Sequence, residues 1–156
     1  MSDLYQSNRK LVAIYRQQLQ QKIVSLHQAE QSSNNIDPQK FYLGFKNRAI
    51  ELVQKETALL QKECGKSDNC HLLLLKQTAL VDTLVQASFY SAVWYFNHQN
   101  NQEWTTQSVP IAIVARGGYG REEMYFRSDV DIEIVSESSV SESDKKTAEQ
   151  IIRHFE

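Results

Sequence analysis

The sequence predicts an α+β protein, in which a helical N-terminal region leads into the start of a small unit of strand, loop, strand and helix. Three observations carry this. Apolar residues recur at steps of three and four through most of the first 97 positions, the spacing of one helix face. A Gln- and Asn-rich stretch, NHQNNQEWTTQS (97–108), then breaks the pattern as a linker would. Beyond it lie a β-branched run, VPIAIVA, and a second run in which Val130, Ile132 and Ile134 alternate with acidic residues, as in a half-buried strand. The chain divides accordingly into a helical region, 1–97, and the N-terminal part of a second unit, 108–156.

Element by element, Leu11, Tyr15, Leu19, Ile23 and Leu26 give the first helix its apolar stripe, with Gln, Lys and Arg facing water, and SSNNIDP (32–38) ends it. Phe41, Phe45, Ala49, Leu52 and Leu59 predict a second helix that stops at Gly65. Ser67 or Asp68 is placed to cap a third, running through Leu73, Leu80, Leu84, Ala87 and Trp94. The proline of VPIAIVA stands near the start of its strand, where a missing N–H is tolerable. Ser141 and Asp144 fit a capping box ahead of a closing helix whose apolar side is Ala148, Ile151, Ile152 and Phe155. The aromatic stretch FYSAVWYF (89–96) reads as core.

Composition narrows the function classes. With 156 residues and 41% hydrophobic content, the chain can bury one core. No run reaches the roughly 18 apolar residues that span a bilayer, and the polar start lacks a signal segment, so no membrane partner and a cytoplasmic address are expected. Cys64, Cys70 and His71 lack the second ligand pair of a zinc site and read as structural. Residues 1–97 hold 11 Lys and Arg against 8 Asp and Glu, whereas residues 98–156 hold 6 against 11. That balance argues against nucleic acid as a partner, because displacing its counterions takes a basic surface. It suits a site whose charge a divalent cation completes.

Such a site is suggested by Asp129, Asp131 and Glu133, which a continuous strand would place on one face, opposite Val130, Ile132 and Ile134. Carboxylates held so close repel unless a proton or a cation lies between them, and magnesium takes such oxygens while keeping waters and accepting phosphate oxygens. Asp-x-Asp by itself fits a solvated edge strand better than a metal site. The upstream Gly117 and Gly118 change the balance, because missing Cβ atoms let a backbone turn sharply and bring its N–H groups close to a phosphate. Glu133 lies further along and reads as a surface or salt-bridged residue. Arg121 can meet a phosphate or pair with Glu122 or Glu123, and Ser128 can touch a nucleotide or brace the turn. Asp82, in mid-helix between apolar neighbours, can face the second unit, although an ordinary exposed position fits better.

Gly117-Gly118, ten intervening residues and Asp129-Val130-Asp131-Ile132 resemble the signature of the polymerase-β nucleotidyltransferase superfamily. More closely, GGYGREEMYFRSDVDI is similar to the nucleotidyltransferase motif of the bacterial PII-protein uridylyltransferase family. There Gly-Gly-Tyr-Gly-Arg runs to Ser-Asp-apolar-Asp without a length change, and Gly117 to Arg121, Glu123 and Ser128 to Asp131 fall in place. The helical segment LKQTALVDTLVQASF resembles the helix that precedes this domain. The chain departs from the family at Glu122, where glycine is usual, at Phe126, where proline is usual, and at Arg127, where an aromatic is common.

The resemblance implies a polymerase-β-like fold and a metal-dependent transfer of UMP from UTP to a tyrosine of a PII nitrogen-signalling protein, with release of pyrophosphate. Asp129 and Asp131 would be the catalytic residues and the ligands of Mg²⁺, or of Mn²⁺ in its place. Gly117, Gly118, Arg121 and Ser128 would bind the nucleotide. Members of the family carry a third carboxylate on a later strand, followed by HD and ACT domains, so the resemblance also implies an N-terminal piece that does not turn over alone. Two other readings stay open: a non-catalytic nucleotide-sensing or docking module, and a nucleotidyltransferase with another acceptor.

Overall fold

The computed structural model describes residues 2–31, 37–66, 68–136 and 139–155. Three long helices, α1 (Ser2–Gln31), α2 (Pro38–Cys64) and α3 (Cys70–Asn100), precede β1 (Ile111–Ala115), the single turn α4 (Gly117–Gly120), β2 (Ile132–Ser136) and α5 (Glu142–Phe155). The chain is thus mostly helical with one small sheet, an α+β arrangement.

The helix ends follow from local chemistry. Asp37 caps α2, its Oδ1 accepting from the Gln39 and Lys40 N–H groups at 2.9 and 3.4 Å, and Pro38 occupies the first turn, where no N–H is needed. The cap of α3 is Asn69, which accepts from the Leu72 N–H at 3.1 Å; this corrects the expected Asp68, while Ser67 lies outside the described residues. Asn69 also exchanges amide hydrogen bonds with Asn8 of α1, at 3.2 and 2.9 Å, and so fixes the start of α3 to α1. At the other end Asn101 takes the left-handed conformation that closes many helices. The Asn97 side chain then brackets Trp104, donating to its carbonyl at 2.7 Å and accepting from its N–H at 3.0 Å, which folds the linker back onto α3. Ser141 caps α5, its hydroxyl accepting from the Asp144 N–H at 3.2 Å and donating to the Asp144 carboxylate at 2.7 Å, which is one half of the expected capping box.

The apolar stripes run close to those expected, displaced by one residue in places. On α1 it is Val12, not Leu11, that is buried with Leu19, and Leu11 is 47% exposed. On α2, Phe41, Phe45 and Ala49 are buried as expected, but Leu60 replaces Leu59, and Glu56 occupies a core position. Its carboxylate is kept there by the Lys22 ammonium and by the Tyr15 hydroxyl, which donates at 3.2 Å. Phe41 and Phe45, both nearly fully buried, each contribute about 1.5–3 kcal/mol of hydrophobic stabilisation.

Helix α3 is the axis of the molecule. One side packs with α1 and α2 through Leu19, Leu60, Leu73 and Leu80. Its C-terminal half packs with the sheet region and α5 through Ala92, Val93, Phe96, Val109, Ile111, Ala148 and Ile151. The strands are antiparallel, with Ala115 opposite Ile132 and Ile111 opposite Ser136, and the Arg116 N–H donates to the Asp131 carbonyl at 2.8 Å just beyond the sheet. The Gly117 loop and the Asp131 segment are therefore brought side by side at one end of the hairpin.

Candidate functional site

Gly117 opens the loop with φ +54, in the left-handed region. A Cβ built there would stand 2.5 Å from the Asp131 Oδ2, so only glycine lets the carboxylate lie against the loop backbone. Gly120 is required for a different reason: a Cβ would meet the Ala115 carbonyl oxygen at 2.7 Å. Gly118 carries no such constraint, since a Cβ would reach only ordinary contact with the Glu123 carbonyl at 3.6 Å. Two backbone hydrogen bonds fold the far side of the loop back on itself, Glu122 N–H to the Tyr119 carbonyl at 3.0 Å and Glu123 N–H to the Gly118 carbonyl at 2.9 Å.

The acidic residues separate into two kinds. Glu122 pairs with Arg9, Glu123 with Arg121 at 2.9 Å, and Glu133 with Arg116. Asp129 and Asp131 are exposed, and among the described residues neither carboxylate has a hydrogen-bond or ion-pair partner. β2 begins only at Ile132, so both aspartates lie in the segment feeding the strand rather than on one face of it with Glu133. That corrects the expected strand; the extended pairing stops once the Arg116 N–H has met the Asp131 carbonyl and the opposing chain turns away at Gly117. No group of three or more metal-ligating side chains occurs among the described residues. Two unpartnered carboxylates nevertheless suit a hard cation such as Mg²⁺, which fills its remaining positions with water and phosphate oxygens.

The chain is 32% identical over 111 residues to a bifunctional uridylyltransferase/uridylyl-removing enzyme of Zymomonas mobilis, a match that covers 67% of the chain and 11% of that enzyme. The chain is similar to part of a uridylyltransferase. It spans about a tenth of that relative's length. No family model matches the chain, and no solved structure does.

The remaining residues singled out in the sequence fall close to the loop but turn to different partners. The Arg121 guanidinium is spent in part on Glu123, with both side chains more than half exposed. The Ser128 hydroxyl accepts from the Tyr125 N–H at 3.1 Å and so braces the turn before Asp129. Asp82 is not an ordinary surface residue: it accepts from the Tyr119 hydroxyl at 2.8 Å and pairs with Arg16 of α1 at 2.7 Å. Burial, reinforced by that bond to Asp82, pushes the Tyr119 hydroxyl well above its usual range and keeps it a donor. Glu122 has positive φ, and the one signal of it in the sequence is that glycine is usual at this position in the family the motif resembles.

Two clefts along α3 border this region, one lined by Asp82, Ala115 and Tyr119 and the other by Val130 and Ile132, and others lie between the long helices. One of about 670 Å³ between α1 and α2 is lined by Lys22, Arg48 and Glu51, and it is wide open to water. At the glycine loop, by contrast, the Asp129 and Asp131 carboxylates are exposed. No helix among the described residues is long and apolar enough to cross a membrane.

Proposed function

We propose that the chain is the opening part of a nucleotidyltransferase domain, which transfers UMP from UTP to a tyrosine of a PII-type signalling protein. The observation that carries this reading is the contact between Gly117 and Asp131, with Asp129 two residues upstream and both carboxylates without partners while the neighbouring glutamates are paired. The similarity to a uridylyltransferase supports the same class of chemistry.

In this reading Asp129 and Asp131 hold Mg²⁺, which when bound neutralises phosphate charge and acidifies an attacking hydroxyl. The backbone N–H groups of Gly117 and Gly118 meet phosphate oxygens, and Arg121 and Ser128 border the nucleotide. The tyrosine oxygen forms a bond to the α-phosphorus, the bond from that phosphorus to the bridging oxygen breaks, the phenolic proton passes to water, and pyrophosphate departs. Local order at the loop comes from protein contacts already made, so the donors are arranged before the nucleotide arrives.

The test uses the full-length protein to which this chain belongs, incubated with UTP labelled in the α-phosphate, Mg²⁺ and a PII protein. The expected result is label on a PII tyrosine that is lost with Asp131→Asn. Absence of label from every protein acceptor, with UTP left intact, contradicts the reading.

A further inference from the structure

Among the described residues, two non-glycine residues have positive φ: Asn101, which closes α3, and Glu122, with φ 60. Asparagine takes this conformation readily at a helix end; glutamate has no such local compensation. The Glu122 carboxylate is instead grasped by Arg9 of α1, 113 positions away in sequence, with Nη1 donating to Oε1 at 2.8 Å and Nη2 donating to Oε2. The guanidinium is in turn steadied by the Tyr5 hydroxyl, which accepts from Nε and Nη2 at 3.1 and 2.8 Å, and it stacks over the Tyr5 ring at 5.1 Å. Two turns further along the same helix, Arg16 holds Asp82, which receives the buried Tyr119 hydroxyl. Helix α1 thus grips the loop at both Tyr119 and Glu122, and the bonds from the Glu122 and Glu123 N–H groups carry that grip to Tyr119 and Gly118.

We infer that Arg9 is a positioning residue for the glycine loop: by pairing with Glu122 it holds a strained left-handed backbone and thereby presents Gly117 and Gly118 in the geometry that receives a triphosphate. The nucleotide part of this inference rests on the function proposed above; the holding of the loop does not. The pairing is only half-buried, and an ion pair of that exposure contributes little to global stability. Its consequence is local, because the loop is short and Glu122 is the strained point within it.

Four variants separate this role from a general contribution to the fold. In Arg9→Ala the strained residue loses its restraint, so amide exchange across 117–123 should quicken roughly tenfold and the Kd for Mg²⁺-UTP should rise by a similar factor. Glu122→Ala should behave in the same way, since alanine is no better suited to positive φ. Glu122→Gly should keep the exchange and the affinity of the parent, because glycine takes that conformation without help. Arg9→Ala added to Glu122→Gly should then have no further effect. Thermal unfolding of all four should stay near that of the parent. The inference is overturned if Glu122→Gly loosens the loop as much as Glu122→Ala does, or if Arg9→Ala leaves loop exchange unchanged. A parent that shows this exchange pattern but binds no Mg²⁺-UTP supports the restraint and overturns the nucleotide reading alone.

Discussion

Gly117 and Gly118 are adjacent and look equivalent as letters, yet the structure asks different things of them. Position 117 needs positive φ and open space toward Asp131; position 118 needs neither. Gly117→Ala should therefore cost about 1–2 kcal/mol and displace the Asp131 carboxylate, whereas Gly118→Ala should stay within about 0.5 kcal/mol in stability. Thermal unfolding of the two variants distinguishes them, and equal losses would mean that the turn, rather than the approach of Asp131, sets the requirement. The nearness of the glycine pair to the acidic segment was legible, because type and spacing suffice to suggest a loop beside carboxylates. Which glycine is indispensable was not, because φ and the 2.5 Å approach arise only when the strands pair. At Glu122 the departure from the usual glycine was visible, but the arginine of the first helix that holds it was not.

At the scale of the elements, period alone located the helices, but not the exact line along which each is buried. A long helix between several partners buries a stripe set by those partners, and a polar side chain with the right neighbours can occupy it. Glu56 is such a case, at 6% exposure among apolar residues. Glu56→Ala should cost about 2 kcal/mol, since it leaves the Tyr15 hydroxyl and the Lys22 ammonium without their acceptor; denaturant unfolding measures this, and an unchanged midpoint would show that water replaces the carboxylate freely. His27 provides a second element-scale test. It lies edge-on to the rings of Phe41 and Phe45, with centroids 5.0 and 5.6 Å away, and burial holds its imidazole below the ordinary 6.5. The folded state then binds this proton less readily than the unfolded chain. The contribution to stability is complete above pH 6.5 and is lost as the pH falls from there toward the lowered folded value. Burial of His154 acts in the same sense. The melting temperature should accordingly drop between pH 7.5 and pH 5, and His27→Phe should remove part of the drop; a pH profile identical to the parent's would exclude His27 as a source.

For the whole molecule, α3 relates the helical region to the site, since its N-terminal half packs with α1 and α2 while Asp82, midway along it, reaches Tyr119 in the loop. The sequence suggested a linker at 97–108, and the bracketing of Trp104 by Asn97 turns that segment into a fixed connection on the same helix. The position of Asp82 between apolar helix neighbours hinted that it faces the second unit, but its partners Tyr119 and Arg16 leave no local signature and emerge only in three dimensions. In the proposed function Asp129 and Asp131 together receive a metal-bound triphosphate at the glycine loop. Isothermal titration of the 156-residue chain with UTP, in the presence and absence of Mg²⁺, tests it most directly. Binding should require the cation and fall at least tenfold in both Asp129→Asn and Asp131→Asn, with the melting temperature preserved; cation-independent binding, or unchanged affinity in both variants, would rule this site out.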